Sequence, residues 1–111
     1  MSGSLVDGRP VVSAAISAAS SGDNTLKAAD ATKRIRVHAL WLVVAGSVTV
    51  RFESAAGGAA LTGVASMAAN ASLVLPFNPA GWFETNKNEL LNLELGGAVQ
   101  VSGSFSYSLV D

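Results

Sequence analysis

The sequence contains no cysteine, which excludes disulfides and any zinc or iron–sulfur site built on thiolate ligands. Charged residues make up only 14% of its 111 residues, whereas they make up about 25% of a typical soluble protein. The formal net charge is −1. The one basic run, Lys33, Arg34 and Arg36, is short enough to be an ordinary solvated strand face. We therefore expect no nucleic-acid partner, because such proteins need clustered positive charge.

Long apolar runs are also missing. The most apolar stretch, residues 39–45, is far shorter than the ~20 residues that a transmembrane helix needs. Residues 1–4 lack the basic and apolar segments with which a secretory signal begins. We therefore expect a protein that is made in a cytoplasm and has no membrane partner.

The sequence offers no set of residues typical of an active site. His38 is the only histidine, and no Gly-x-Ser-x-Gly nucleophile motif accompanies it, so we expect a surface or inter-subunit histidine. Glu84, Glu89 and Glu94 are close in sequence, but they fall on strand and loop surfaces and do not form a glycosidase pair. The acidic residues within 23–30 lack the spacing of an EF-hand loop. We therefore expect no enzyme, no cofactor and no bound metal.

Apolar side chains recur at every second position in several segments, most clearly in residues 73–77 and 91–95. This period is typical of half-buried antiparallel strands. About eight such strands are predicted: residues 11–19, 25–29, 34–45, 48–53, 61–67, 72–77, 90–95 and 99–110. Their number and spacing favour an all-β antiparallel sandwich, jelly-roll-like, formed by one domain over residues 10–111.

The longest predicted strand, residues 34–45, has two different faces. One face is predicted to consist of Ile35, Val37, Ala39, Trp41 and Val43. The other starts polar and ends in Leu40 and Leu42, so we expect a neighbouring subunit to cover it there. The tight turn at 45–47 predicts a hairpin with residues 48–53, whose polar side chains should lie on the surface.

Two further segments are candidates for contacts with partners. Trp82 and Phe83 follow a Pro-Ala-Gly turn; they are predicted either to plug the open end of the sandwich or contact a subunit, or to form a platform for sugar rings. Residues 1–9 form a predicted flexible arm. Its Leu5, Val6 and Arg9 could add a strand or wedge to a neighbour.

Several short motifs together resemble a family of small proteins found among tailed-bacteriophage structural genes. They are Gly-Asp-Asn-Thr-Leu at 22–26, Lys-Arg-Ile-Arg-Val-His-Ala-Leu at 33–40, Leu-Pro-Phe-Asn-Pro-Ala-Gly-Trp-Phe-Glu-Thr at 75–85, Leu-Asn-Leu at 91–93 and Gly-Ser-Phe-Ser-Tyr at 103–107. The resemblance implies a β-sandwich that assembles as a homotrimer in the virion. It carries over no catalytic residue.

Two functions follow as expectations. In the first, the chain is a capsid decoration protein that binds the major capsid protein, or another virion protein, and stabilises the head shell. In the second, it is a carbohydrate-binding module of a head or tail fibre, or an adhesin, with Trp82 and Phe83 as the glycan platform. An exposed Trp82 ring in the isolated chain would favour the second.

Overall fold

The computed structural model of the protein describes residues 5–6 and 8–111. The remaining residues of the predicted arm, 1–4 and 7, lie outside the described residues. Twelve strands occur in the described part: β1 (Leu5–Val6), β2 (Arg9–Pro10), β3 (Val12–Ala18), β4 (Gly22–Lys27), β5 (Arg34–Val44), β6 (Val48–Ser54), β7 (Ala59–Ala60), β8 (Ala65–Met67), β9 (Ser72–Leu75), β10 (Phe83–Glu84), β11 (Leu91–Leu95) and β12 (Val101–Val110). In these residues no helix is long and apolar enough to cross a membrane.

Two antiparallel sheets pack against each other. In sheet I, β12 lies between β3 and β5, and both β9 and β10 pair with the other side of β5. In sheet II, β11 lies between β4 and β6, and both β7 and β8 pair with β6. The two-stranded β1–β2 hairpin forms a small sheet of its own. The predicted all-β antiparallel sandwich is confirmed.

The connectivity is that of a jelly roll. Eight strands contain three or more residues, and they pair from the outside of the sequence inwards. The first, β3, pairs with the last, β12; β4 pairs with β11, β5 with β9, and β6 with β8. A long hairpin rolled into two sheets gives this order, which is the arrangement of jelly-roll sandwiches.

The core lies between the two sheets and is aliphatic apart from a few aromatic rings. Leu91, Leu93 and Leu95 point inward from the middle of sheet II and are fully buried. From sheet I, Phe105 meets them in the same core cluster. The alternation of β11 is therefore read correctly from the sequence: its pairing with β6 is regular over its length, and the register shift against β4 inserts the extra residue in β4, not in β11.

The predicted faces of β5 are wrong beyond Val37. Tyr107 of β12 pairs with Val37, whereas the preceding Ser106 pairs with Ala39, so His38 is an extra residue on β5. Such a bulge exchanges the two faces of the strand from that point on. Residues Ile35 and Val37 point inward as predicted, but Leu40, Leu42 and Val44 follow them into the core, and Ala39, Trp41 and Val43 point outward.

The predicted hairpin between residues 34–45 and 48–53 is also wrong. β5 belongs to sheet I and β6 to sheet II, and the turn at 45–47 carries the chain across the sandwich. The amide of Ala45 donates to Gln100 O at 2.9 Å, so the segment just before β12 supplies the turn's contact. A short turn between two alternating segments fits a hairpin and a crossover between sheets equally well.

Candidate functional site

Before the bulge at His38, β5 carries Arg34 and Arg36 on the outward face of sheet I, and Arg36 Nε donates to Glu84 Oε1 at 2.8 Å. Beyond the bulge, this face is uncharged. Its side chains are small or apolar: Ser13, Ala15, Ser17, Ala39, Trp41, Val43, Ser72, Val74, Ser102, Ser104 and Ser106. Trp41 stands in the middle, opposite Val74 on one side and Ser104 on the other. A hollow of about 170 Å³ lies beside its ring. A folded protein normally keeps charge on its solvent surface, so this composition is typical of a contact surface.

Four large apolar side chains are exposed on or beside this face, and we call them the aromatic face. Trp41 is 49% exposed, Val74 65%, Phe77 52% and Trp82 43%. Both tryptophans of the chain are therefore among them. Tryptophan is enriched where proteins bind partners, because its large ring contributes apolar area and one hydrogen-bond donor.

The loop 76–82 positions Phe77 and Trp82 against β5. The amide of Trp82 donates to Val37 O at 2.8 Å, and its indole Nε1 donates to Pro76 O at 2.7 Å, which closes the loop on itself. The next residue, Phe83, points into the sandwich, where its ring centroid lies 5.1 Å from that of Phe52. Phe83 therefore contributes the predicted plug, whereas the exposed Trp82 does not.

His38 anchors the same loop. It is fully buried, so its predicted position on the surface is wrong. Its Nδ1 lies 2.9 Å from Asn78 O, and its Nε2 lies 2.8 Å from Ser108 Oγ. Since a carbonyl oxygen only accepts, Nδ1 donates to Asn78 O, and in the neutral imidazole Nε2 then accepts from the Ser108 hydroxyl. Phe77 stacks on the imidazole with ring centroids 5.6 Å apart. The neighbouring Ser108 is buried as well, so the pair is closed to a substrate and serves to hold the loop in place.

The outward face of sheet II has the opposite chemistry. Asn92 Nδ2 donates to Asp23 Oδ1 and to Glu53 Oε1, both at 2.9 Å. Arg51 Nε donates to Glu53 Oε2 at 2.8 Å. Glu53 is fully buried beneath these partners, so its predicted exposure is wrong. Cross-strand register places the cluster together, since Glu94 is the partner of both Asp23 and Arg51.

Three carboxyl groups of this cluster, those of Asp23, Glu53 and Glu94, have oxygen atoms within 4.8 Å of one another. The pKa of Glu94 is raised, first by its hydrogen bond with Asp23, then by burial, and then by the negative charges of Asp23 and Glu53. Oxygen ligands of this kind suit hard cations. Here, however, Arg51 and Asn92 already satisfy the buried Glu53, and the cluster by itself does not identify a metal site.

The other predicted contact residues are placed as follows. Leu40 and Leu42 lie in the core, because the bulge at His38 turns them inward. Leu5 is exposed; of Val6 only the backbone is described. Arg9 Nη2 donates to Asp111 Oδ2 at 3.1 Å, so the described part of the arm contacts the end of the sandwich.

Sequence reasoning missed Trp41 and Phe77 as exposed residues. Both occupy positions that alternation assigns to a buried face. The sequence signal that could have found Trp41 is weak: in β5 a polar histidine directly before an apolar run marks a site where alternation can break. The stacking of Phe77 on His38 depends on a contact 39 residues away in the chain and leaves no local signal.

Comparisons with known proteins add little about function. No family model matches the sequence, and no curated protein matches it. A chain from the solved structure "Bacillus endospore appendages form a novel family of disulfide-linked pili" is similar in structure, with 17% identity, a TM-score of 0.48, and coverage of 98% of this chain and 94% of that chain.

Proposed function

We propose that this protein is a non-enzymatic structural subunit of a bacteriophage particle, which assembles as a homotrimer and decorates the head shell by binding the major capsid protein or another virion protein. Its location would then be the virion, after synthesis in the cytoplasm of the bacterial host. The phage setting derives from the sequence motifs described above. One structural observation supports assembly: beyond the His38 bulge the outward face of sheet I carries no charge, and both tryptophans are exposed on or beside it.

The contrast between the two outward faces is the physical reason for this proposal. Interface cores are depleted in charged residues and enriched in aromatic ones, and Trp41 and Trp82 fit that composition. Sheet II instead presents Asp23, Arg51 and Glu94, which are well solvated or paired within the chain. An apolar patch left in water favours association. Sheet I is therefore the face that we expect a partner to cover.

Light scattering on the purified chain at micromolar concentration tests self-assembly. The expected mass is three times the 11.2 kDa of one chain. Trp41→Lys should shift the protein towards the monomer, because a lysine would be buried unpaired in the contact. Thr25→Lys, on an exposed position of sheet II, is the matched control and should leave the trimer intact. A parent chain that stays monomeric at high concentration contradicts assembly.

Binding to the shell requires a separate test. The purified chain is added to phage capsids that lack their native decoration protein, and occupancy is counted by electron microscopy. We expect regular density at symmetry-related positions. Trimers that leave such capsids bare would retain self-assembly but contradict the decoration role.

Carbohydrate binding is the second candidate, and the exposure of Trp82 favours it. Its indole ring and that of Trp41 could each stack on a sugar, while Phe83 is unavailable because it packs on Phe52. A glycan array on the parent chain tests this role. If the parent chain binds a glycan on the array, Trp82→Ala should abolish that binding. Val64→Ala, at an exposed apolar position outside the aromatic face, should leave it unchanged.

A further inference from the structure

Sheet I has two edges that are unpaired among the described residues. β3 pairs only with β12, and β9 pairs only with β5. In an antiparallel strand, alternate residues direct their backbone N–H and C=O groups away from the neighbouring strand. Each edge therefore offers a row of hydrogen-bonding groups to an additional strand.

β3 lacks the features that normally protect an edge. It runs over seven residues, Val12–Ala18, and pairs with β12 without a register shift. It contains no proline, no charged residue and no bulge, which are the usual means of preventing strands from pairing at an edge. Among the described residues, the β1–β2 hairpin does not pair with this edge. β1 and β2 pair with each other in a separate two-stranded sheet, and neither pairs with β3.

β9 is similar in composition and opposite in direction. It spans Ser72–Leu75 and is uncharged. Four strands, β9, β5, β12 and β3, follow one another in alternating directions. The two outer strands therefore run antiparallel to each other. A second copy placed beside the first, in the same orientation within the sheet, would continue the antiparallel ladder across the junction.

We propose that β3 of one copy pairs with β9 of a second copy of this chain, so that sheet I continues from copy to copy around a closed ring. The inference deepens the proposed function and rests on the self-assembly stated there. A contact between two different edges is head-to-tail, and such contacts close into a ring, such as a trimer, when the rotation from copy to copy closes, and otherwise continue as a filament.

The edges of sheet II are less suitable for this pairing. β4 carries Asp23 and Lys27, and Asn24 uses its side chain to bond Ser20 O and Gly22 O. At the other side, β8 has only three residues. Pairing at sheet I would also bring the outward residues of β3, which are Ser13, Ala15 and Ser17, beside Val74 of the next copy, so the uncharged part of the face would become continuous between subunits.

Engineered disulfides test this pairing directly, because the chain has no cysteine of its own. Val74→Cys is combined in turn with Ser13→Cys, Ala15→Cys or Ser17→Cys. The four positions lie on the outward face of sheet I, and the three combinations cover registers that differ by two residues. Within one copy, two intervening strands separate β3 from β9 by about 14 Å, too far for a disulfide.

After oxidation, one of the three double variants should run as a covalent ring of three chains on a non-reducing gel and return to single chains with reductant. The single-cysteine variants, and the control Thr25→Cys with Val74→Cys, should remain single chains. Covalent dimers of Ala15→Cys alone would mean that β3 pairs with another β3, which overturns the proposal. If no double variant links while the parent is still a trimer by light scattering, the edge pairing is wrong and the assembly proposal stands. A monomeric parent overturns both.

Discussion

At the scale of single residues, His38 connects three segments that are distant in the sequence. It is the extra residue of the β5 bulge, it holds the backbone of Asn78 in the covering loop, and it accepts from Ser108 at the end of β12. A polar group that is buried with both of its nitrogens bonded stabilises one arrangement of these segments. Its role is structural, and the exposed position of Phe77 and Trp82 depends on it.

His38→Ala should lower the free energy of unfolding by about 1–3 kcal/mol, because it leaves the buried Ser108 Oγ and the half-buried Asn78 O without their partner. His38→Gln, which can still donate and accept, should recover part of this loss. Urea unfolding measures both. Equal urea midpoints for His38→Ala and the parent would show that the network contributes nothing to stability.

Replacing Glu94 and Glu89 by neutral glutamine should change the stability of the protein in opposite directions near neutral pH. The pKa of Glu94 is raised by its hydrogen bond with Asp23, by burial and by neighbouring negative charge. The folded protein therefore holds the carboxyl proton of Glu94 more tightly than the unfolded chain does. Its contribution to stability is complete at pH values below the unfolded-state pKa and is lost as the pH rises through the folded-state pKa. Glu94→Gln keeps a donor for Asp23 without a charge, so it should stabilise the protein near neutral pH.

The pKa of Glu89 is lowered, since Ser54 and Asn86 donate hydrogen bonds to its carboxylate. Its contribution is present above the unfolded-state pKa and is lost as the pH falls through the folded-state pKa. Glu89→Gln should therefore destabilise the protein near neutral pH and have less effect in acidic buffer. Urea unfolding of both variants and the parent, near neutral pH and in acidic buffer, measures these changes in stability. A loss of stability from Glu94→Gln near neutral pH would contradict the raised pKa.

At the scale of elements, β5 and β12 approach each other unusually closely at Gly103. A Cβ atom at this position would lie 1.9 Å from Trp41 O and 2.8 Å from Leu42 Cα. Any side chain there must push the two central strands of sheet I apart. The close pairing of the β5 backbone at Trp41 with β12 therefore depends on a glycine in the neighbouring strand.

Gly103→Ala should lower the free energy of unfolding by about 1–3 kcal/mol through overpacking. Gly97→Ala is the matched control, because a Cβ there would meet no atom within 4 Å. Thermal unfolding followed by circular dichroism compares the two variants. The close approach has no energetic importance if both melt at the temperature of the parent.

The regular strands could be predicted from the sequence, whereas the exceptions could not. β11 alternates without interruption, so its three leucines point inward as predicted. β5 changes phase at His38, and that change is set by pairing with β12 and by loop 76–82, which lie far along the chain. The carboxyl cluster of sheet II likewise requires the register of β4, β6 and β11. Local patterns predict which residues form strands, but register determines which side chains meet.

At the scale of the whole molecule, one outward face of the sandwich is uncharged beyond the His38 bulge and the other is charged, and the N-terminal hairpin lies at one end. β2 contacts the end of β12, and Arg9 pairs with the exposed Asp111. An exposed ion pair of this kind contributes little to stability. The hairpin is therefore an addition to the sandwich and lies outside its core.

Deleting residues 2–9 should leave the melting temperature of the β domain nearly unchanged, because no core residue is removed. The same deletion should reduce occupancy on capsids that lack the native decoration protein, if the arm adds a strand or wedge to a neighbour. Calorimetry measures the first effect and electron microscopy the second. Undiminished binding by the shortened chain would mean that the arm is not an attachment segment.

The place of β12 has a consequence for how the protein is made. This strand covers residues 101–110 and is the centre of sheet I, between β3 and β5. During synthesis β3 and β5 leave the ribosome long before the strand that joins them. Until then both have open edges, and the core lacks Val101 and Phe105. Folding must therefore wait for the last strand, and a chain interrupted before residue 101 would expose uncharged, aggregation-prone edges to the quality-control machinery of the cell.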